Sequence, residues 1–179
     1  TLAWKLAHST RCDQIFIAPG NAGTASVGKN LSIAVNDFDG LAKAIEENNI
    51  ALVVIGPEDP LVNGLRDYLE ADENFNDLMI IGPGKDGAQL EGSKDFSKEF
   101  MQQNNIPTAA SRTFTKENIE EGYAYIETQL APIVVKADGL AAGKGVIICA
   151  DLTEAEKAIR EILEDKVFGD AGSKLVVEE

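Results

Sequence analysis

Short apolar segments alternate with amphipathic segments along the first half of the chain. The apolar segments are QIFIA at 14–18, LSIAV at 31–35, IALVVIG at 50–56 and LMIIG at 78–82. Each is short and almost wholly apolar, as in a strand that is covered on both faces. The segments between them carry apolar residues at helical spacing. This alternation predicts an α/β fold over residues 1–85, an open parallel sheet with helices on both faces.

The second half of the chain has a different pattern of elements. Its predicted helices are GAQLEGSKDFSKEFMQQNNIP at 87–107, KENIEEGYAYIETQL at 116–130 and DLTEAEKAIREILED at 151–165. Its predicted strands are SRTFT at 111–115, PIVVK at 132–136, VIICA at 146–150 and SKLVVEE at 173–179. We expect Ser93 to cap the first of these helices, and Thr153 with Glu156 to form a capping box on the last. The order of these elements predicts an α+β domain.

Composition excludes several classes of function. The 30 acidic and 16 basic side chains give a formal charge of −14, which disfavours nucleic acid as a partner. No apolar run is long enough to cross a bilayer, and no signal peptide opens the chain, so we expect no membrane partner and a cytoplasmic location. Cys12 and Cys149 are too far apart for a Cys-x-x-Cys site, and Cys149 is predicted to be core. His8 is the only histidine, and no role is assigned to it.

Three turns that contain glycine and proline follow the clearest strands of the first half. They are APGNAG at 18–23, IGPEDP at 55–60 and IGPGK at 81–85. Ligands of open parallel sheets bind beyond the carboxyl ends of the strands, where such turns gather. The small residues at 20–23 could present several backbone N–H groups to one phosphate. The alternative is that glycine and proline only end these strands.

Two lysines and three glycines mark the stretch PIVVKADGLAAGKGVIICA at 132–150. Gly139 and Gly143 are too close for a Walker A loop, Gly145 follows Lys144, and a strand follows instead of a helix. The spacing of the glycines also fails the dinucleotide pattern. What remains is a hairpin that could close over a polyphosphate, with Lys136 on its incoming strand, or a hairpin tip that is rich in glycine only because it turns.

Taken together, these motifs resemble one enzyme family. The residues APGNAGTA at 18–25, VVIGPEDPLVNGL from 53, GAQLEGSKDFSKEFM from 87, VVKADGLAAGKGV from 134 and FGDAGSKLVVEE from 168 are similar to the phosphoribosylamine-glycine ligase (glycinamide ribonucleotide synthetase) family of the ATP-grasp superfamily. The likeness covers nearly the whole chain. It implies an N-terminal substrate-binding domain at 1–85, a linker and the start of the ATP-grasp domain at 86–112, and a small ATP-grasp subdomain with a flap at 113–179.

The resemblance also implies site residues. Those expected to bind ATP are Lys94, Lys136, Gly139, Leu140, Ala141, Ala142, Gly143, Gly145, Val146, Glu178 and Glu179. Those expected to contact phosphoribosylamine are Asn21, Gly23, Thr24, Gly56, Pro57 and Glu58, with Glu58 and Asp59 as partners for ribose hydroxyls. Lys98, Lys144 and Asp138 are expected to be solvated charges outside the chemistry.

The reaction that the resemblance implies is the ATP-dependent ligation of glycine to 5-phosphoribosylamine through a glycyl phosphate, in purine biosynthesis. ATP and Mg²⁺, with Mn²⁺ as an alternative metal, would be the cofactors. The acidic Mg²⁺ ligands of the family would follow Glu179 and its opening strand would precede Thr1, so we expect a fragment that is inactive alone. Two alternatives remain open: another ATP-grasp carboxylate-amine ligase, and a non-catalytic nucleotide-binding module.

Overall fold

The computed structural model describes residues 1–179, which fold as two compact units, 1–85 and 86–179. None of its helices combines the length and the apolar character that a membrane crossing requires. The strands pair in parallel in the first unit and antiparallel in the second.

The first unit contains short parallel strands with helices between them. Its elements are α1 (Leu2–Ala7), β1 (Phe16–Ile17), β2 (Lys29–Asn30), α2 (Phe38–Glu47), β3 (Leu52–Val54), α3 (Glu58–Val62), α4 (Leu65–Glu70) and β4 (Met79–Ile81). Strand β1 pairs with β2 and β3 pairs with β4, both in parallel, as the apolar pattern predicts. The pairs form two separate two-stranded sheets. Ile45, Leu65, Leu69 and Phe75 form the buried core.

Two predicted elements of this unit differ in the structure. The LSIAV segment is not a strand: Leu31 N–H donates to Ile17 O at 2.8 Å, and Ile33 N–H then donates to Leu31 O at 2.9 Å. This bond between residues two apart turns the chain away from β1. The segment between the last two apolar segments forms two helices, α3 and α4, with a break at Gly64, whose φ of +90° is a left-handed value that glycine adopts readily.

The second unit contains a four-stranded antiparallel sheet. Its elements are α5 (Lys85–Gly92), α6 (Lys94–Gln103), β5 (Ser111–Thr115), α7 (Ile119–Ile126), β6 (Ile133–Ala137), β7 (Val146–Cys149), α8 (Leu152–Leu163) and β8 (Lys174–Glu178). The strand order in the sheet is β5-β8-β6-β7. Helix α8 buries its apolar stripe against the sheet, together with residues of α7. Cys149 is buried in this core, as predicted.

Alternation along β6 decides which side chains face the core. Ile133, Val135 and Ala137 are fully buried, whereas Val134 and Lys136 lie on the opposite face. A strand places successive side chains on opposite faces of its sheet, so Lys136 is directed away from the core formed with α8. Lys136, one of the two lysines that the sequence analysis predicts to bind ATP, is therefore on the face of the sheet opposite α8.

The helix caps agree with prediction at one helix and differ at another. Ser93 caps α6, its side chain accepting a hydrogen bond from Phe96 N, although the segment before it forms a separate helix, α5. At α8, Asp151 is the N-cap and accepts from Glu154 N at 2.9 Å. Glu154 in turn accepts from Ala150 N at 2.8 Å. The predicted box of Thr153 and Glu156 is wrong because the helix begins at Leu152.

Candidate functional site

The glycine-rich segment joins β6 to β7 as a hairpin, as the sequence predicts. Three of its residues are constrained to be small or left-handed. A Cβ on Gly139 would lie 2.8 Å from Ala171 Cα, and a Cβ on Gly145 would lie 2.7 Å from Ala141 Cβ. Gly143 has a φ of +75° and open space around it. Neighbouring atoms leave no room for a Cβ at the two ends of the hairpin, and the tip between them turns through two residues of positive φ, Ala142 and Gly143.

Lys136 forms an ion pair with Glu178 on the open face of the sheet. Its Nζ lies 2.6 Å from Glu178 Oε2, and the two side chains are 24% and 12% exposed. The register explains the pair, because Val134 of β6 is opposite Glu178 of β8 and Lys136 lies two residues further along the same face. Two residues predicted to bind ATP are thus brought together.

Lys98 meets the same carboxylate from helix α6. Its Nζ lies 3.1 Å from Glu178 Oε1. Lys98 is the only buried charged residue of the chain, with 8% of the whole residue exposed. The prediction of a solvated Lys98 is wrong. Two aromatic residues of the same helix, Phe96 and Phe100, are by contrast 41% and 39% exposed.

The charge balance of this cluster keeps Glu178 ionised. Burial alone would raise the pKa of Glu178, but hydrogen bonds and charges from Lys136 and Lys98 together exceed that effect, and the pKa lies below its ordinary value. One carboxylate therefore forms ion pairs with two ammonium groups, and the cluster of Lys98, Lys136 and Glu178 has a net positive charge. An anionic ligand would find favourable electrostatics here.

Lys94, the first residue of α6, lies at the entrance of the hairpin. Its Nζ donates to Asp138 O at 3.1 Å and to Gly139 O at 3.2 Å. Burial lowers the pKa of Lys94, which the nearby Asp138 partly opposes and the charge of Lys136 reinforces. Lys94 and Lys136, separated by 42 positions in sequence, thus both lie near the start of the glycine-rich segment.

Asp138 is a structural residue of this region, and the expectation of a solvated charge is wrong. Its carboxylate accepts hydrogen bonds from the hydroxyl of Ser93 at 3.1 Å and from Asp95 N at 2.8 Å. These bonds tie the N-terminus of α6 to the hairpin, and the negative charge is favourable at that helix end. Lys144, by contrast, is exposed as predicted.

Sequence reasoning missed a second ion pair beside this one. Asp95 accepts from Thr113 Oγ1 at 2.6 Å and from Lys174 Nζ at 2.9 Å. Although burial opposes it, the pKa of Asp95 lies below its ordinary value because of these two hydrogen bonds and the charge of Lys174. Through these bonds Asp95 joins α6 to β5 and β8. No short sequence motif predicts the pair, because its two residues are far apart in sequence.

Glu179 follows β8, and its side chain is exposed. Its backbone N–H donates to Ala110 O at 3.3 Å. Its backbone thus continues the pairing of β8 with the segment before β5. The side chain of Glu179 is not part of the lysine cluster, in contrast to that of Glu178.

In the first unit, the turn at 21–24 is closed by its own side chains. Asn21 Oδ1 accepts from Gly23 N at 2.9 Å and from Thr24 N at 3.1 Å, and Asn21 N donates to Thr24 Oγ1 at 2.8 Å. Of the amides at 20–23 expected to face a phosphate, those of Asn21 and Gly23 are therefore bonded inside the turn. For these amides to reach a ligand, the side chain of Asn21 would have to release Gly23 N, and the hydroxyl of Thr24 would have to release Asn21 N.

Asn30 on β2 holds this turn, and sequence reasoning did not identify it. Its Nδ2 donates to Asn21 O at 2.8 Å, and its Oδ1 accepts from Thr24 Oγ1 at 2.8 Å. A Cβ on Gly20 would lie 2.3 Å from Asn30 Oδ1, so only glycine leaves room for this side chain. An Asn directly before the predicted LSIAV strand, close to a glycine turn, was the available signal.

The turn at 56–58 leads into α3. Gly56, Pro57 and Glu58 are exposed, and Pro57 is the N-cap residue. Asp59 is bonded within the protein: Asn36 Nδ2 donates to its Oδ2, and Asn63 Nδ2 donates to its Oδ1 at 3.2 Å. Both oxygens of Asp59 have protein partners, so Glu58 is the carboxylate of this turn that is left accessible.

Two family models match the chain. The one described as phosphoribosylglycinamide synthetase, N domain, matches residues 1–91, and the one described as phosphoribosylglycinamide synthetase, ATP-grasp (A) domain, matches residues 92–179. A phosphoribosylamine-glycine ligase of Pasteurella multocida is 49% identical over 99% of this chain and 41% of its own length. The chain thus spans less than half of the curated relatives that it matches.

Solved structures agree with this likeness. A phosphoribosylamine-glycine ligase from Thermotoga maritima superposes with a TM-score of 0.74 at 30% identity, over 99% of this chain and 40% of that one. The biotin carboxylase domain of a Hydrogenobacter thermophilus 2-oxoglutarate carboxylase, solved with MgADP and bicarbonate, has a TM-score of 0.69 at 20% identity, over 98% of this chain and 41% of that one, and shows the shared fold. The chain belongs to the phosphoribosylglycinamide synthetase family, with the N domain followed by residues of the ATP-grasp domain.

Proposed function

We propose that the full-length protein containing this chain is an ATP-dependent carboxylate-amine ligase that joins glycine to 5-phosphoribosylamine. The products are glycinamide ribonucleotide, ADP and phosphate. The observation that carries the proposal is the position of two lysines at the start of the glycine-rich hairpin. Lys94 donates to two carbonyl oxygens there, and Lys136 lies near the end of β6, the strand that leads into the hairpin. The phosphoribosylamine-glycine ligase of Pasteurella multocida, which is 49% identical over 99% of the chain, supports the choice of substrates.

The chemistry requires activation of a poor electrophile. The carboxylate of glycine accepts the γ-phosphoryl group of ATP, ADP leaves, and a glycyl phosphate forms. The amine of phosphoribosylamine then attacks the acyl carbon, the phosphate leaves, and the amine loses a proton as the amide forms. The intermediate must be kept from water, which a hairpin closing over the phosphates would do.

Lys136 and Lys94 would bind the phosphates of ATP. Both ammonium groups have hydrogen-bond acceptors within the protein. Lys136 donates to the carboxylate of Glu178, and Lys94 donates to two carbonyl oxygens. A phosphate oxygen can replace either partner, because charge-assisted hydrogen bonds to phosphate are strong. Backbone N–H groups at 139–146 would cover the remaining oxygens, and Glu178 and Glu179 would meet the adenine with their backbone.

The first unit would hold phosphoribosylamine. The turn at 21–24 and the turn at 56–58 are the two exposed segments with suitable groups, and Glu58 can accept hydrogen bonds from ribose hydroxyls. Asn30 would fix the first turn in place.

The proposal includes Mg²⁺ as a cofactor that the full-length protein would use together with ATP. No group of three His, Cys, Asp or Glu side chains in this chain could hold a metal, so no step is assigned to the ion here. We also propose a cytoplasmic location. It is supported by the absence of a disulfide, since Cys12 and Cys149 are both free thiols.

The test is phosphate release from ATP by the full-length protein with Mg²⁺, omitting each substrate in turn. The proposal requires that release depend on both glycine and phosphoribosylamine. Release with glycine and a different amine, or with another carboxylate in place of glycine, would favour another ligase of the same fold. Absence of release with both substrates, despite ATP binding, would favour a nucleotide-binding module.

A further inference from the structure

Lys98 is a buried cation that the proposed mechanism does not use. Its side chain is 10% exposed, and its ammonium group has three partners. It donates to Thr108 Oγ1 at 2.7 Å, to Ala109 O at 3.0 Å and to Glu178 Oε1 at 3.1 Å. Three donors are matched by three acceptors, so the ammonium is satisfied and fixed.

Glu178 divides its two oxygens between two lysines. Oε2 lies 2.6 Å from Lys136 Nζ, and Oε1 lies 3.1 Å from Lys98 Nζ. The two lysines differ in their surroundings. The Lys136 side chain is 24% exposed, and its one hydrogen bond is to Glu178. Lys98 also donates hydrogen bonds to the segment after α6. Lys136 can therefore leave the carboxylate, and Lys98 is held where it is.

We propose that Lys98 is a positioning residue for ATP binding, acting through Glu178 on Lys136; this rests on the proposed function, in which Lys136 binds phosphate. When Lys136 turns to a phosphate, Lys98 keeps the charge of Glu178 neutralised and keeps the carboxylate in place. Without Lys98, release of Lys136 would leave a largely buried, unpaired carboxylate beside a polyphosphate, which is costly.

The test measures the affinity of the full-length protein for ADP, with Mg²⁺, by isothermal titration calorimetry. Lys98→Met removes the charge at similar length and should weaken ADP binding about tenfold, the range of one charge-assisted hydrogen bond. Adding Glu178→Gln to that variant removes the carboxylate that competes for Lys136. The double variant should recover ADP affinity to within about twofold of the wild type.

Lys157→Met is the matched control, because it makes the same substitution in the same unit at a side chain that is 74% exposed. It should leave ADP affinity unchanged. If Lys98→Met does not fold, Lys98→Gln keeps a hydrogen-bond donor toward Thr108 without the charge, and the same loss and the same recovery are expected.

Two results would overturn the role of Lys98 without affecting the proposed function. One is unchanged ADP affinity in the Lys98 variants, and the other is a loss of ADP affinity that Glu178→Gln does not recover. The second would mean that Lys98 contacts the nucleotide itself or only stabilises the fold. Failure of the wild-type protein to bind ADP would overturn the proposed function and this inference with it.

Discussion

Replacing Gly139 with alanine should destabilise the second unit and weaken nucleotide binding together. The new Cβ would lie 2.8 Å from Ala171 Cα and 3.1 Å from Ala171 Cβ, distances at which backbone must move. The amide of Gly139 also donates to Ala171 O at 2.9 Å, so the two segments cannot separate without loss of that bond. Overpacking of this kind costs about 1–3 kcal/mol.

For a chain of this size that cost corresponds to a fall of roughly 2–12 °C in the thermal midpoint. The displacement also moves the two carbonyl oxygens that hold Lys94, so ADP affinity should fall in the same variant. Differential scanning calorimetry and titration with ADP measure the two effects.

Gly56→Ala is the control for the stability change. Its added Cβ would meet only Leu2 Cδ1 at 3.7 Å, an ordinary contact distance. Its midpoint should lie close to that of the wild type, within the ~0.5 kcal/mol typical of surface changes. A Gly139→Ala protein as stable as this control would refute the close approach to Ala171 as the reason for a glycine there.

Three further predictions address other contacts. Asn30→Ala removes two hydrogen bonds to the turn at 21–24 and should raise the KM for phosphoribosylamine while leaving the KM for ATP unchanged; equal changes in both would contradict its role. Asp151→Ala should cost about 1 kcal/mol of stability and Thr153→Ala much less, measured by urea unfolding, because Asp151 is the cap of α8. The pKa of Asp95 is depressed, so its ion pair with Lys174 stabilises the protein above the ordinary value of 3.8 and is lost as pH falls through the lower folded value. The difference in midpoint between wild type and Asp95→Asn should therefore be present at pH 7 and shrink below pH 3.8, and a difference that persists there would argue against the pair.

Local patterns were sufficient to predict most elements of the fold. The stripe at Ala155, Ala158, Ile159 and Ile162 predicts the phase of α8, because helical spacing alone decides which side of a helix is apolar. The boundaries were less predictable. The break at Gly64 and the cap at Asp151 depend on backbone conformation at single residues, which a periodic pattern does not contain.

The candidate site was predictable only where its residues lie in one motif. The hairpin and Lys136 are contiguous in sequence, and the structure keeps them together. The sequence predicts an exposed Lys98, because a lysine on a polar helix face is usually in contact with solvent. Its burial depends on Glu178, which is far away in sequence and is brought near by the pairing of β8 with β6. Contacts of that range carry no signal in a single sequence.

The most direct measurement of the central claim follows oxygen during catalysis. The full-length protein would be given ATP, Mg²⁺, phosphoribosylamine and glycine labelled with ¹⁸O in its carboxylate, and the released phosphate would be analysed by mass spectrometry. A route through glycyl phosphate predicts that each phosphate carries one labelled oxygen from glycine. Release of unlabelled phosphate alongside the amide product would contradict that route.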